Sequence, residues 1–166
     1  MAADDVDRIV SAWRRERPDL DVTPLEVLSR VSRLARRLDL ARGRVFAGRG
    51  LESWEFDVLS ALRRTGSPHE LSPGQLVAET LVTSGTMTNR VDRLVARGFV
   101  ERHRAVGDRR GVIVRLTAEG RSTVDAALAE LLADEHTLLA ELDPAERRTL
   151  AELLGRLLRS VEAPSG

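Results

Sequence analysis

Apolar side chains recur every three or four positions along most of the chain, with polar and charged side chains between them. This is the period of amphipathic α-helices, so the sequence predicts a mainly α-helical fold with a small β-hairpin. The predicted helices cover residues 4–15, 23–48, 51–64 and 72–79, a segment from Ser84, and two longer segments from Thr117 and Asp143. Three segments open on a capping-box pattern, in which side chains bond free backbone N–H groups at a helix start. These are Thr23-Pro24-Leu25-Glu26, Ser72-Pro73-Gly74-Gln75 and Asp143-Pro144-Ala145-Glu146.

Residues 84–116 combine a short amphipathic helix with a charged hairpin. Val91, Leu94 and Val95 share one face of that helix, and Gly98 follows where a left-handed stop is needed. Two apolar runs then surround residues 107–111, a pattern that predicts a β-hairpin. A short helix and a tight turn precede this segment, so the order of elements predicts a winged helix-turn-helix.

The distribution of charge favours DNA as the partner of this segment. The 26 basic and 26 acidic residues cancel over the whole chain, but residues 84–121 carry a net charge of +5 and residues 122–166 one of −5. A positive element on a neutral body suits a polyanion. The chain has no Cys, which excludes disulfides, Cys-ligated metals and thiol redox sensing. Neither a membrane-span-length apolar run nor a signal-peptide core occurs, so we expect a cytoplasmic protein with no membrane partner.

Polar residues of the segment suit different parts of a DNA duplex. Small polar side chains and free backbone donors in the first turns of a helix contact phosphates well. The Asn and the Arg that follow have the geometry for bidentate contacts to adenine and guanine, respectively. Two adjacent arginines at the hairpin tip suit a narrow minor groove. We therefore expect DNA contacts from Ser84, Thr86, Thr88, Asn89, Arg93, Arg109 and Arg110.

The two ends of the chain hold more leucine than one side of a small domain needs. We expect one domain over residues 1–166, with N-terminal helices in 1–48 and the winged helix-turn-helix lobe in 51–117. Residues 118–166 would join the N-terminal helices in a homodimer interface, the alternative being a monomeric bundle. A two-fold dimer should read a pseudo-palindrome with half-sites about one helical turn apart.

Three sequence motifs resemble the MarR family of transcriptional regulators. They are the run from Thr88 to Leu94, the hairpin run from Asp108 to Thr117 with its Asp-x-Arg element, and the following Glu119-Gly120. The resemblance covers nearly the whole chain. It implies a dimeric DNA-binding repressor, without a cofactor, that a small ligand releases from its operator.

A narrower resemblance is to the urate-responsive, PecS-type branch of that family. Four stretches carry it: the extra N-terminal helix with Trp13, the segment Pro18-Asp19-Leu20-Asp21, the run Glu55-Phe56-Asp57-Val58-Leu59 and the run from Thr83 to Arg90. It implies a pocket for a small anion formed by Trp13, Asp57, Arg90 and Arg102. An arginine clamps a planar anion such as urate, and a tryptophan offers a stacking face. We expect Asp57 and Arg90 to pair in the free protein, and an incoming anion to compete for Arg90.

Two other interpretations remain open, and two more are disfavoured. Similar regulators with the same four residues respond to tricarboxylates such as citrate and aconitate, so the anion's identity is less certain than its pocket. Ligand-independent DNA binding is a second alternative. An enzyme is disfavoured because His69, His103 and His136 are scattered and no nucleophile elbow is present. The histidine spacing does not favour a zinc-responsive regulator either.

Overall fold

A computed structural model describes residues 4–104 and 111–162. These residues form seven helices and a three-stranded antiparallel sheet in the order β1-β3-β2, which confirms the mainly α fold. The helices are α1 Asp5–Glu16, α2 Thr23–Gly48, α3 Ser53–Arg64, α4 Pro73–Thr80, α5 Ser84–Ala96, α6 Ala118–Leu138 and α7 Pro144–Glu162. The strands are β1 Glu70–Leu71, β2 Val100–Arg104 and β3 Val112–Leu116.

Two of the three predicted capping boxes are present. Ser72 accepts a hydrogen bond from the Gln75 backbone N–H at 3.2 Å, and the Gln75 side chain accepts one from Ser72 N–H at 2.8 Å. Asp143 and Glu146 make the same reciprocal pair at the start of α7. The capping box at Thr23 is wrong, because Thr23 is already the first helical residue and its N–H is bonded by the Asp21 carboxylate at 3.0 Å.

The main core lies where α3, α4 and α5 meet β3 and α6. Its fully buried members include Leu59, Leu62, Leu76, Met87 and Leu94. The first two come from α3, the third from α4 and the last two from α5. Since α4 packs on α3 and α5 packs on α4, this core fixes the orientation of the helix-turn-helix.

The predicted hairpin is confirmed as β2 paired with β3, from Val100 opposite Leu116 to Arg104 opposite Val112. Its tip, residues 105–110, lies outside the described residues, and so do Arg109 and Arg110. Gly98 adopts the predicted left-handed conformation, with φ of 75°. The short strand β1, which pairs with β3 on its other side, was not expected from the sequence.

Helix α1 packs on α2 through a small second core. Val6, Val10 and Val22 are buried there, with Leu25 packed against them. Arg30 of α2 reinforces this contact, donating to the carboxylates of Asp4 at 2.8 Å and Asp7 at 2.6 Å. The extra N-terminal helix is therefore attached to the long helix α2.

The last helix leaves an apolar face open in the single chain. None of the residues of α7, Pro144–Glu162, is buried. Exposed apolar side chains continue along α2 and α6: Val27, Leu28, Val31, Leu34, Leu40, Leu128, Leu132 and Leu138. Within residues 4–104 and 111–162, no helix has the length and hydropathy that a membrane span requires.

Candidate nucleic-acid interface

The recognition helix α5 is held by its apolar face and capped at its start. Met87, Val91 and Leu94 are buried in the main core. Thr83 precedes the helix in an extended conformation, and its hydroxyl accepts a hydrogen bond from the Thr86 N–H at 3.3 Å. Side-chain caps of this kind stabilise a helix start by about 1 kcal/mol. The N-terminal turns of α5 are thus ordered before any partner binds.

The rest of the α5 surface presents small polar groups to solvent. Ser84, Thr86, Thr88 and Asn89 are all exposed. The Thr88 hydroxyl donates to the Ser84 carbonyl oxygen at 3.1 Å, and the hydroxyls of Thr83 and Thr86 lie 2.9 Å apart. The structure therefore places four of the predicted DNA-contacting residues together on one accessible surface.

Arg93 also lies on α5, but its guanidinium is engaged by α3. It forms an ion pair with Glu52 and stacks on the Trp54 indole, 4.7 Å from the ring centroid. The Trp54 indole N–H donates to the other Glu52 carboxylate oxygen at 2.8 Å. The hydrogen bond from Trp54, together with Arg93, lowers the pKa of the Glu52 carboxyl, because both partners favour its ionised form.

Arg90 approaches the same indole from the preceding turn of α5. Its guanidinium carbon lies 5.4 Å from the Trp54 ring centroid, within the range of a cation–π contact. The two arginines and Trp54 border an open cavity of about 570 Å³. Its remaining lining residues are Glu52, Gly85, Thr86 and Asn89.

A second ion pair between α3 and α5 is buried on one side. Glu55, with no exposed surface, accepts a hydrogen bond from Arg97, the C-cap of α5. Arg97 also donates to the Gly50 carbonyl oxygen at 2.8 Å and stacks on Phe99 at 4.6 Å. These contacts tie the end of the recognition helix to the start of α3 and to the first residue before β2.

The wing strands are joined to α5 and to β1 by further ion pairs. Arg102 of β2 pairs with Asp92 of α5 and donates to the Thr88 carbonyl oxygen at 3.4 Å. Arg115 of β3 pairs with Glu70 of β1. The base of the wing and the recognition helix are therefore linked by charge pairs as well as by the core.

The cavity that Arg90 borders does not bring the four predicted ligand-binding residues together in the single chain. Trp13 is 48% exposed on α1, although its spacing places it on the same helix face as the buried Val6 and Val10. The cavity bordered by Arg90 is lined neither by Trp13 nor by Asp57 or Arg102. Trp13 thus does not pack against the body of its own chain as a core residue does.

The expected ion pair between Asp57 and Arg90 is wrong for the free chain. Among the described residues, no guanidinium nitrogen of Arg90 lies within 4 Å of a carboxylate oxygen of Asp57. The Arg90 guanidinium lies over the Trp54 ring instead. Asp57 is at the surface, yet partial desolvation raises its pKa, and the positive charges of Arg90, Arg42 and Arg64 oppose that rise. The positive charge of Arg90 therefore acts on the Asp57 carboxyl group without a direct ion pair between the two side chains.

Sequence reasoning missed the contribution of α3 to this surface. Glu52 and Trp54 surround Arg93, yet neither residue was expected to contribute to the DNA-binding surface. Their spacing to Arg93 of about forty residues carries no periodic signal. The one available hint was a charged residue and a tryptophan placed together at a helix start.

Comparisons with known proteins agree with this architecture. The model of the MarR family matches residues 49–111. The HTH-type transcriptional regulator PecS of Dickeya dadantii is 39% identical over 153 residues, which cover 92% of each chain. The HTH-type transcriptional repressor NicR of Pseudomonas putida is 32% identical over 86% of this chain and 91% of its own.

Solved structures show the same fold. A crystal structure of a mutant MarR from E. coli complexed with operator DNA has a TM-score of 0.69 at 27% identity, covering 84% of this chain and 99% of that one. Sco5413 from Streptomyces coelicolor, a MarR family regulator, has a TM-score of 0.70 at 23% identity, covering 88% and 100%. Family model, relatives and fold agree, and they describe regulators rather than enzymes: this chain belongs to the MarR family of winged-helix transcriptional regulators.

Proposed function

We propose that the chain acts as a homodimeric repressor that binds a pseudo-palindromic operator and is released by a small anionic ligand, urate or a related purine. The observation that carries the proposal is the exposed polar face of α5, held rigidly by the core, by Arg97–Glu55 and by the wing. A rigid reading element of this kind keeps base contacts within the narrow geometry that they need.

DNA is contacted by the first turns of α5 and by the wing. The Ser84, Thr86 and Thr88 groups and the free backbone N–H groups at the helix start meet phosphates. Asn89 and Arg93 face base edges in the major groove. The two arginines of the wing tip, Arg109 and Arg110, enter the adjacent minor groove. The similarity to a MarR that is complexed with operator DNA supports this placement.

The open apolar faces support a dimer built from both ends of the chain. Leu150, Leu153, Leu154 and Leu157 of α7 face Val27, Val31 and Leu34 of α2 across an apolar cavity of about 550 Å³. An apolar surface this extensive on a monomer marks an association site. A second copy of the chain, with its own open α2 and α7 faces, covers it symmetrically.

The ligand pocket forms around Asp57 and Arg90 once the dimer is assembled, with Trp13 closing one side and Arg102 the wing side. The positive charges near Asp57 support an anion, since Arg90, Arg42 and Arg64 all act on its carboxyl group. An anion held by Arg90 moves a residue of the recognition helix itself, away from its place on Trp54. It acts as a switch only if it binds the DNA-incompetent arrangement more tightly.

Tricarboxylates such as citrate are the second candidate ligand class. The observation in their favour is the number of arginines around Asp57, since several guanidinium groups match several carboxylates better than they match one planar ring. A regulator that binds DNA without any ligand is the remaining alternative.

A gel-shift titration on the DNA upstream of the gene tests the proposal. We expect a specific complex that weakens steeply as salt rises, because arginines displace condensed counterions. Urate, xanthine, hypoxanthine, citrate and cis-aconitate are then added separately, and release by one class identifies the ligand. Absence of a complex at low salt contradicts DNA binding, and a complex that survives every anion supports the ligand-independent alternative.

Two substitutions test the pocket. Arg90→Ala and Trp13→Phe should each reduce ligand-driven release by about tenfold or more, measured relative to the variant's own affinity for DNA without ligand. Arg36→Ala, at an exposed arginine of α2 that lies outside both the ligand pocket and the apolar cavity beside α7, is the matched control. Full release in both pocket variants contradicts the assigned site.

A further inference from the structure

Arg93 forms an ion pair with a carboxylate of its own chain on the surface that is proposed to bind DNA. Its guanidinium pairs with one oxygen of the Glu52 carboxylate, while the other oxygen accepts a hydrogen bond from the Trp54 indole at 2.8 Å. The indole ring lies 4.7 Å beneath the same guanidinium. Glu52, Trp54 and Arg93 thus form a closed three-membered cluster in which each member contacts the other two.

The cluster is at the surface and not in the core. The Arg93 and Glu52 side chains are 51% and 53% exposed, and both line the same open cavity as Asn89 and Thr86. The Glu52 charge is therefore presented to whatever approaches the polar face of α5. A phosphate that approaches Arg93 meets a fixed negative charge beside it, and like charges at short range repel.

A base edge does not compete with the Glu52–Arg93 ion pair in the way that a phosphate does. Guanine offers two neutral acceptors, O6 and N7, in the major groove. Arginine has five N–H donors, and the ion pair with Glu52 uses one of its terminal nitrogens. Arg93 is thus able to bond a guanine edge while it stays paired with Glu52, whereas a phosphate competes with that pairing.

We propose that Glu52 is a positioning residue that determines the specificity of DNA binding. It acts through Arg93, because its negative charge disfavours contacts of Arg93 with phosphates and leaves contacts of Arg93 with bases intact. The proposal rests on the proposed DNA-binding function. Trp54 is its support, because the indole N–H fixes the carboxylate and the ring fixes the guanidinium. Removing the negative charge of Glu52 should therefore favour non-specific DNA more than the operator.

The test measures affinity for two fluorescent duplexes, one from the upstream region that the protein binds and one of scrambled sequence, over a range of salt concentrations. Glu52→Gln should bind the scrambled duplex about threefold to fivefold more tightly, the range expected for one exposed charge pair. Its salt dependence on that duplex should steepen by about one unit of slope, because Arg93 gains a phosphate. Affinity for the operator should change by less than about twofold, so that the specificity ratio falls.

Glu79→Gln is the matched control. Glu79 is an exposed glutamate of the same lobe, paired with Arg64 rather than with α5, so its loss changes the net charge equally. Trp54→Phe is a second variant, which keeps a ring but removes the N–H donor to Glu52, and it should shift the ratio in the same direction by less. When Arg93 is already replaced by Gln, Glu52→Gln should no longer alter the ratio of the affinities for the two duplexes. The reason is that Glu52 is proposed to act only through Arg93.

Three outcomes overturn the proposal. They are an unchanged specificity ratio in Glu52→Gln, an equal change in Glu79→Gln, and an effect that persists without Arg93. A wild-type protein that binds both duplexes equally overturns the proposed function instead, and this result is visible before any variant is made.

Discussion

The carboxylate of Glu55 is completely buried at the start of α3, and Arg97 at the end of the recognition helix donates to it. Glu55 also accepts a hydrogen bond from the backbone N–H of Glu52 at 2.9 Å. One buried carboxylate therefore fixes both the first turn of α3 and the last turn of α5. A buried charge is tolerated only when it is paired, so the ion pair holds two helices in one relative orientation.

Arg97→Ala should reduce the free energy of unfolding by about 2–4 kcal/mol, because it leaves the Glu55 charge without its partner. Chemical denaturation followed by circular dichroism measures the change. Arg63→Ala is the control, since Arg63 pairs with Asp125 where both side chains are exposed, and such pairs contribute at most about 1 kcal/mol. Equal losses in the two variants contradict the structural role of Glu55.

Gly120 lies where α6 packs tightly against the backbone of Phe99, the residue before β2. A Cβ atom at this position would lie 2.1 Å from the carbonyl oxygen of Phe99 and 2.9 Å from its carbonyl carbon. Both atoms belong to the backbone, so relief requires α6 or the start of β2 to move. Gly120→Ala should therefore cost about 2–3 kcal/mol of stability, at the upper end of overpacking effects.

Gly85→Ala is the matched control for that substitution. Gly85 lies in α5, and a Cβ atom added there would meet nothing within 4 Å outside its own stretch of helix. Alanine should therefore stabilise the helix by about 0.5–1 kcal/mol. Thermal unfolding of the two variants should shift in opposite directions. A Gly120→Ala protein as stable as the wild type contradicts the close packing of α6 on the wing.

Local patterns predicted the elements, but one helix start depended on a neighbour. The capping boxes at Ser72 and Asp143 formed because each side chain needs only atoms three residues away. At Thr23 the same pattern failed, since Asp21 lies two residues earlier and supplies the hydrogen bond. The strand β1 has two residues, too few to show alternation.

The sequence predicted only the part of the candidate site that follows from local patterns. The exposed Thr and Asn side chains of α5 follow from helical period, which places them outside the buried positions of Met87 and Val91. The contacts of Arg93 and Arg90 with Trp54 depend on the relative placement of α3 and α5. The helical period of each segment does not predict how two helices are placed relative to each other. The expected pairing of Arg90 with Asp57 was wrong because the guanidinium lies over the Trp54 ring instead.

Leu81 occupies a conformation that disfavours leucine. It ends α4 with φ of 53° and ψ of 40°, and its side chain is 93% exposed. A left-handed conformation costs a branched residue about 1–2 kcal/mol, and this side chain gains almost no burial in return. Leu81→Asn should stabilise the free protein by up to about 1 kcal/mol, because Asn tolerates this region.

Differential scanning calorimetry measures that gain. Leu20→Asn is the comparison, since Leu20 is half exposed and is not in a left-handed conformation. It should give no stabilisation. A lower melting temperature for Leu81→Asn contradicts the strain at the turn.

The raised pKa of Asp57 predicts a pH dependence. Desolvation makes the folded protein hold the Asp57 proton more tightly than the unfolded chain does, in spite of Arg90, Arg42 and Arg64. The carboxylate therefore destabilises the fold above the pKa of the unfolded state, and this penalty grows as pH rises through the folded pKa. Asp57→Asn should raise the melting temperature at pH 7, and the difference from wild type should shrink as pH falls toward 4.

Unfolding at several pH values checks the sign. Asp125→Asn, which removes an exposed carboxylate paired with Arg63, is the control and should not reproduce the gain at pH 7. A destabilised Asp57→Asn protein at pH 7 contradicts the prediction and indicates that attraction to the arginines outweighs desolvation.

The open face of α7 predicts the oligomeric state. Leu153 is 48% exposed and Leu157 40% exposed, one helical turn apart on a helix without buried residues. If a second copy covers them, replacing both by Asp places two charges inside the interface, which an apolar contact does not tolerate. Leu153→Asp/Leu157→Asp should sediment as one chain at micromolar concentration, whereas wild type should sediment as two.

The winged lobe does not depend on that face, because its core is formed by α3, α4, α5 and β3 within one chain. The double variant should therefore keep its helical circular dichroism and lose affinity for a two-half-site operator by more than tenfold, since each half-site is then bound separately. Arg148→Asp, an exposed change on the same helix, should remain dimeric. A wild-type mass of one chain contradicts the dimer, and an unfolded double variant shows that α7 also supports its own chain.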